Sequence, residues 1–338
     1  MRNLISTSRW LSARQPTAVV PVLTMALSIV GPACAQCTYE LKTWSPWNCG
    51  GIWGTESYQA LGLDNVGGWC GHRYACLPSE AQLPVYCPPG GVPQELPLPP
   101  GAGPKGAHAV AVNDFGMVVG TSFQGPNGTI QMGCIWKPDG TIATVPPLDG
   151  GWMSKPYAVN NSGIIAGMSM SWPCVWANGE AIVIPIPDGV LSGGYATDIS
   201  DSGFVVGEYG HHSNSSLRGF RWRDGEFEVL EPAGPDTGGR ARGGNDSGVA
   251  GGGSQKYNNG AWVGSVATVW TKDEVIALPS LPGHPFSYAM SINSSGVIIG
   301  GRDLALILGE WTGARGAAAS RMPEAPRPSQ GSVCEDAR

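Results

Sequence analysis

One short motif returns six times, and its period constrains the fold more than any other feature of the chain. The copies are AHAVAVNDFGMVVG (107–120), KPYAVNNSGIIAG (155–167), YATDISDSGFVVG (195–207), RARGGNDSGVAGG (240–252) and YAMSINSSGVIIG (288–300), with a weaker one, YQALGLDNVGGWCG (58–71). Their anchoring glycines are Gly67, Gly116, Gly163, Gly203, Gly248 and Gly296, spaced 49, 47, 40, 45 and 48 residues apart. Three residues before each anchor stands Asp64, Asn113, Asn160, Ser200, Asn245 or Asn293. These side chains can hydrogen-bond the backbone two residues on, and the glycine supplies the positive φ that a tight turn needs. A second glycine follows four residues later in every copy: Gly71, Gly120, Gly167, Gly207, Gly252 and Gly300. Apolar residues such as Met117-Val118-Val119 fill the gap, which reads as a short buried strand. Seven residues before the anchor lies Ala60, Ala109, Ala196, Ala241 or Ala289, with Pro156 as the exception, small enough to crowd against its copies near an axis.

Each copy goes on to a second strand pair. A run ending in Trp136, Trp176, Trp222, Trp270 or Trp311 (Cys87 in the first copy) leads to a polar turn such as Asn178-Gly179, then to one more apolar run. One Trp at a fixed strand position in each copy reads as core between neighbouring units. Four strands per 40–50 residues is the arithmetic of a propeller blade. Helical repeats would need stripes of period 3.6, which are missing, and a parallel β-helix would need shorter coils. The expectation is an all-β propeller of about six four-stranded blades over residues 57–311, followed by a disordered tail, 312–338. The segment 36–56 is Cys- and Trp-rich, and its Thr38-Tyr39-Glu40-Leu41-Lys42 is expected to supply the strand that closes the last blade.

Residues 1–35 read as an export signal: Arg2, Arg9 and Arg14, an apolar run from Ala18 to Val30, and the small residues Ala33-Cys34-Ala35. Removing it leaves 17 basic against 26 acidic residues, a net charge of −9, with no basic cluster and no further spanning segment. Such a balance argues against nucleic-acid or anionic-lipid partners. The expected setting is secreted, cell-surface or periplasmic, and the expected state a monomer. Eight cysteines remain, and five of them (Cys37, Cys49, Cys70, Cys76, Cys87) crowd the start of the mature chain, where disulfides of undetermined pairing are expected. Cys134 and Cys174 read instead as buried free thiols.

The pattern A-x-x-x-I/V-N-x-x-G-x-V-V-G, then a loop, a run ending in Trp and a turn glycine resembles the HAF-repeat family of extracellular bacterial proteins. The resemblance covers about residues 57–311. The family's His-Ala-Phe run is replaced here by Arg218-Gly219-Phe220-Arg221-Trp222 or Val266-Ala267-Thr268-Val269-Trp270. The resemblance implies export and a repeat architecture, and no chemistry.

Catalytic patterns are missing. No repeated Asp/Glu pair suggests a glycosidase dyad, and Ser169 and Ser202 lack a nucleophile elbow. Asp149, Asp188 and Asp236 read as turn residues, because no D-x-D-x-D-G calcium loop occurs. No metal or cofactor is expected. Connectivity alone sends the Asn-x-x-Gly and Asp/Asn-Gly turns to one end of the ring. The variable loops, 121–133, 168–173, 208–217 and 253–265 within blades and 148–154, 186–194, 231–239 and 280–287 between them, go to the other. Those loops carry Trp152, Trp172, Tyr209, His211, His212, Tyr257, Trp262, His284 and Phe286, the expected ligand-binding set. The function this points to is a non-catalytic binding or surface-interaction module for a glycan or an extracellular protein. The alternative is a propeller lyase or hydrolase acting on glycans at the axis.

Overall fold

The computed structural model describes residues 58–74, 81–187, 193–210, 217–234, 238–258, 261–279, 286–302 and 305–310. Every regular element among them is a strand. The first blade holds β1 (Tyr58–Leu63), β2 (Trp69–Tyr74), β3 (Gln82–Cys87) and the two-residue β4 (Gln94–Glu95). The second holds β5 (Ala102–Val112), β6 (Val118–Gln124), β7 (Ile130–Trp136) and β8 (Ile142–Val145). The third holds β9 (Ser154–Val159), β10 (Ile165–Ser169), β11 (Trp172–Ala177) and β12 (Glu180–Val183). The fourth comprises β13 (Gly194–Ile199), β14 (Val205–Gly210), β15 (Leu217–Arg223) and β16 (Glu226–Leu230). The fifth comprises β17 (Gly238–Gly244), β18 (Ala250–Asn258), β19 (Ala261–Trp270) and β20 (Val275–Ala277), and the sixth β21 (Tyr288–Ile292), β22 (Val297–Arg302) and β23 (Ala305–Glu310).

Each blade is an antiparallel meander, and the chain is a β-propeller. From the second blade to the sixth, the innermost strand packs against the first three strands of the blade before it, whereas the fourth strands stay almost wholly within their own sheets. That pattern describes wedges that converge on one side and splay on the other. Blades one and two are also stitched into one sheet by a parallel pairing of Gln82 with Gly106. The proposed closing segment 38–42 and the tail 312–338 lie outside the described residues.

The Asn-x-x-Gly turn has the expected bond two residues on at Asn113, whose Oδ1 accepts from the Phe115 N–H (3.1 Å). At Asn160 the backbone N–H donates to the Ile164 carbonyl (3.0 Å), and the side-chain Oδ1 accepts from the Ile164 N–H (2.9 Å). Gly163 takes φ 77°, a region that side chains rarely adopt. The same side chain also reaches forward. Asn160 Nδ2 donates to the Ser200 carbonyl of the next blade (3.1 Å), Asn113 does so to Asn160 (3.0 Å) and Asn245 to Asn293 (3.3 Å). Ser200 has no amide to offer, and there Ser202 Oγ donates to the Asp246 carbonyl instead (2.8 Å).

The second glycine answers a constraint that only three dimensions reveal. All six innermost strands carry a β-bulge at the same place, centred on Leu61, Val110, Tyr157, Thr197, Arg242 and Met290. The bulge swings a backbone carbonyl over the neighbouring strand. A Cβ at Gly71, Gly120, Gly167, Gly207, Gly252 or Gly300 would overlap the carbonyl oxygen of Gln59, His108, Lys155, Tyr195, Arg240 or Tyr288 respectively. Glycine is there for close backbone approach, since none of the six needs a positive φ.

The core runs between blades. Val119 and Val145 of the second blade meet Val159, Ile165, Cys174 and Trp176 of the third, and Val206 and Leu230 of the fourth meet Ala241, Ala250 and Trp270 of the fifth. The Trp column also carries a directed bond. The indole N–H groups of Trp136, Trp176 and Trp270 donate to the carbonyls of Pro97 (2.8 Å), Pro146 (2.7 Å) and Glu231 (2.6 Å), each just past the last strand of the preceding blade. Trp222 differs: its Nε1 is buried without a partner.

Two expectations are corrected. Cys70, placed among the disulfide candidates, is a buried free thiol, as are Cys134 and Cys174, and Cys87 is buried in the first blade. Cys87 pairs across the ladder with Trp69 and Cys70 with Tyr86, so the two cysteines point to opposite faces of their sheet and cannot bridge each other. Cys37, Cys49 and Cys76 lie outside the described residues. The variable loops are also shorter than expected, because the ladders run further: β6 reaches Gln124, and the 168–173 loop shrinks to a two-residue hairpin between Ser169 and Trp172.

Candidate functional site

The meander sends the loops between second and third strands, and those between blades, to one end. There the β10–β11 hairpin turns on Met170 (φ 50°) and Ser171 (φ 72°), a double positive-φ turn normally given to Asn and Gly. Its surroundings hold it in place. The Ser171 carbonyl accepts from the Gly194 N–H (2.8 Å). The Ser169 hydroxyl donates to the Met153 carbonyl (2.7 Å) and accepts from the Leu148 N–H (3.0 Å), tying the 148–153 connection to the hairpin. That hydroxyl is structural, as its lack of an elbow context suggests. The connection is itself a tight turn, with the Gly151 N–H on the Leu148 carbonyl (2.7 Å).

Between these two segments opens a cleft of ≈ 470 Å³, lined by Leu148, Asp149, Gly150, Gly151, Met170, Trp172 and Val183. Trp172 lies in its wall 42% exposed, and Trp152, whose backbone N–H contacts Met170 Sδ at 3.4 Å, stands beside it 54% exposed. Blade tryptophans such as Trp176 are buried; these two are not. A second aromatic station belongs to the long β18–β19 hairpin. Trp262, 52% exposed, stacks on Phe286 with centroids 5.5 Å apart and planes at 22°. In the register of that ladder the backbone of Tyr257 pairs with Trp262. Tyr209 is corrected: it lies in β14, buried edge-on against Phe227 in the core, so it presents nothing to a ligand. His211, His212 and His284 lie outside the described residues.

A second group of side chains escaped the sequence reading. The residue eight before each anchor is Gln59, His108, Lys155, Tyr195, Arg240 or Tyr288, and its cross-strand partner is His72, Thr121, Met168, Glu208, Gly253 or Gly301. Between the first two blades His72 and His108 have ring centroids 5.9 Å apart. His108 Nδ1 lies 3.0 Å from Gln82 Oε1, an acceptor, so that nitrogen carries the proton. Burial pushes both imidazoles below the ordinary histidine range, His108 to about 4 with help from His72 and Lys155. Between the fourth and fifth blades, Tyr195 donates to the fully buried Glu208, which faces Arg240 Nη1 at 3.6 Å. Burial and then Glu208 push the Tyr195 phenol up to about 12, making it a donor and not a base. Among the described residues no group of three or more His, Cys, Asp or Glu converges as a metal cage. The signal available was the column itself, polar or aromatic in every copy.

Asp198 is the one acid at the position where other innermost strands have Gly62, Ala111, Ala158, Gly243 or Ser291. Burial raises its carboxyl to about 6, although the N–H groups of Gly244 and Ile199 (both 2.9 Å) favour the charged form. A folded-state value above the unfolded one means that its contribution is fully present below about pH 4 and is lost as pH rises through about 6. Two units correspond to roughly 3 kcal/mol. Asp198→Asn should therefore gain on the wild type by an amount of that order between pH 4 and pH 7.5 in chemical denaturation, and parallel profiles would contradict it.

No family model matches the sequence, and no curated protein matches it. Among solved structures the chain is similar to the β-propeller domain of the trilobed protease from Pyrococcus furiosus (9% identity, covering 77% of this chain and 83% of that one, TM-score 0.49). It is also similar to virginiamycin B lyase from Staphylococcus aureus (14% identity, 76% and 89% covered, TM-score 0.42). A third is the six-bladed fucose-recognising lectin of Aleuria aurantia (12% identity, 77% and 97% covered, TM-score 0.36).

Proposed function

We propose that this chain is an exported, non-catalytic binding module of the HAF-repeat kind, which takes a glycan on its loop end and acts as a monomer. The observation that carries the reading is the pair Trp152 and Trp172, exposed beside an apolar cleft while Trp136, Trp176 and Trp270 of the blades are buried. An indole face suits the C–H face of a sugar ring, with apolar area and little side-chain entropy to lose. Asp149 at the cleft wall offers an acceptor for hydroxyl groups. The rigid hairpin and the pinned 148–153 turn hold both segments before any ligand arrives, which lowers the ordering cost of binding.

The test is a glycan array followed by calorimetry on the mature chain. Trp172→Ala and Trp152→Ala should each weaken binding at least tenfold with an unchanged melting temperature. A wild-type protein that retains no glycan ends the reading. The alternative, a propeller enzyme acting on glycans, draws on the Tyr195–Glu208–Arg240 group. It requires bond cleavage in a reducing-end assay that Glu208→Gln abolishes.

A further inference from the structure

We propose that His72 and His108 form a metal site at the seam between the first two blades, which takes a copper ion between the two imidazoles. Three observations lead there. His72 is buried, yet neither of its ring nitrogens has a hydrogen-bond partner. An orphaned buried polar group calls for an absent water or ion. Its ring lies 5.9 Å from that of His108, tilted by 56°. Two imidazoles ligating one ion at about 2.0–2.1 Å hold their centroids roughly 5–6 Å apart. Finally, Gln82 Oε1 accepts a hydrogen bond from His108 Nδ1–H (3.0 Å), which leaves Nε2 with its lone pair and fixes the ring. An acceptor behind the ring is the usual companion of a ligating histidine.

The seam is built for precision. Gln82, which orients His108, is also the residue whose parallel pairing with Gly106 joins the two blades into one sheet. Tyr74 edge-on to His72 (5.1 Å) and Phe123 beside His108 (5.3 Å) supply an aromatic wall that limits water. As Cu(II), copper stands highest in the divalent affinity order for nitrogen donors. The remaining coordination positions fall to solvent or to an incoming ligand.

The test uses the full mature chain, stripped with a chelator and titrated with Cu(II), after His211→Ala and His212→Ala remove two competing imidazoles. One equivalent should bind, with electron paramagnetic resonance showing hyperfine coupling to two nitrogens. His72→Asn should abolish that signal, and Gln82→Ala, a positioning change, should weaken binding about 10- to 100-fold. The spectrum of the protein with both native ligands needs neither of those variants to fold. Coupling to one nitrogen or none, or an unchanged equivalent in a folded His72→Asn protein, overturns the site.

Discussion

Gly167→Ala is expected to cost roughly 3–5 kcal/mol, a large share of the stability of an ordinary domain. A single methyl group could have so large an effect because of what it would strike. The bulge at Tyr157 carries the Lys155 carbonyl over the Gly167 Cα, so the added Cβ would overlap that oxygen and press on the Pro156 backbone. Neither neighbour is a flexible side-chain end that could swing aside. Relief requires undoing the bulge, which would shift the register of β9 against β10 and turn its inward residues outward. Gly179→Ala is the control: its φ is 85°, but nothing lies within 4 Å of the new atom, so the expected loss is only about 1–2 kcal/mol. Paired denaturation curves would measure both. Equal losses at the two positions would remove the steric account of the second glycine.

Trp176→Ala is the second large effect, expected at about 3–5 kcal/mol from lost contacts and the cavity left between the second and third blades. The informative comparison uses phenylalanine. Trp176→Phe keeps most of the ring but strands the Pro146 carbonyl that its indole N–H satisfied, for a loss of about 1–3 kcal/mol. Trp222→Phe removes an indole N–H that has no partner, so it should lie within about 1 kcal/mol of the wild type. The two substitutions are chemically identical, and the bond to the preceding blade is present at Trp176 and missing at Trp222. If they cost the same, that bond contributes nothing.

The repeat was legible because its most constrained positions keep one residue type: Gly163 for its turn, Asn160 for closing it, Trp176 for the blade interface. The reason for Gly167 was not, since the bulge that demands it arises from register and not from composition. The His108–Lys155–Tyr195–Arg240 column stayed hidden for the opposite cause: its position is constant, but its chemistry changes from blade to blade. Pairing it with His72 or Glu208 further requires the bulge offset. Of the aromatic set, Trp152, Trp172 and Trp262 could be read from loops that lie at the expected end. Tyr209 could not, because β14 extends three residues past Gly207 and turns it into the core.

The forward reach of Asn113, Asn160 and Asn245 and the backward reach of Trp136, Trp176 and Trp270 give three of the six copies a plug on one side and a socket on the other. The matching groups are backbone carbonyls, which every copy possesses whatever its side chains. A duplicated copy can therefore be spliced into the series without compensating changes in those beside it. Ancestral lengthening by whole copies, with loops free to diverge afterwards, is the history that such self-sufficient joints permit.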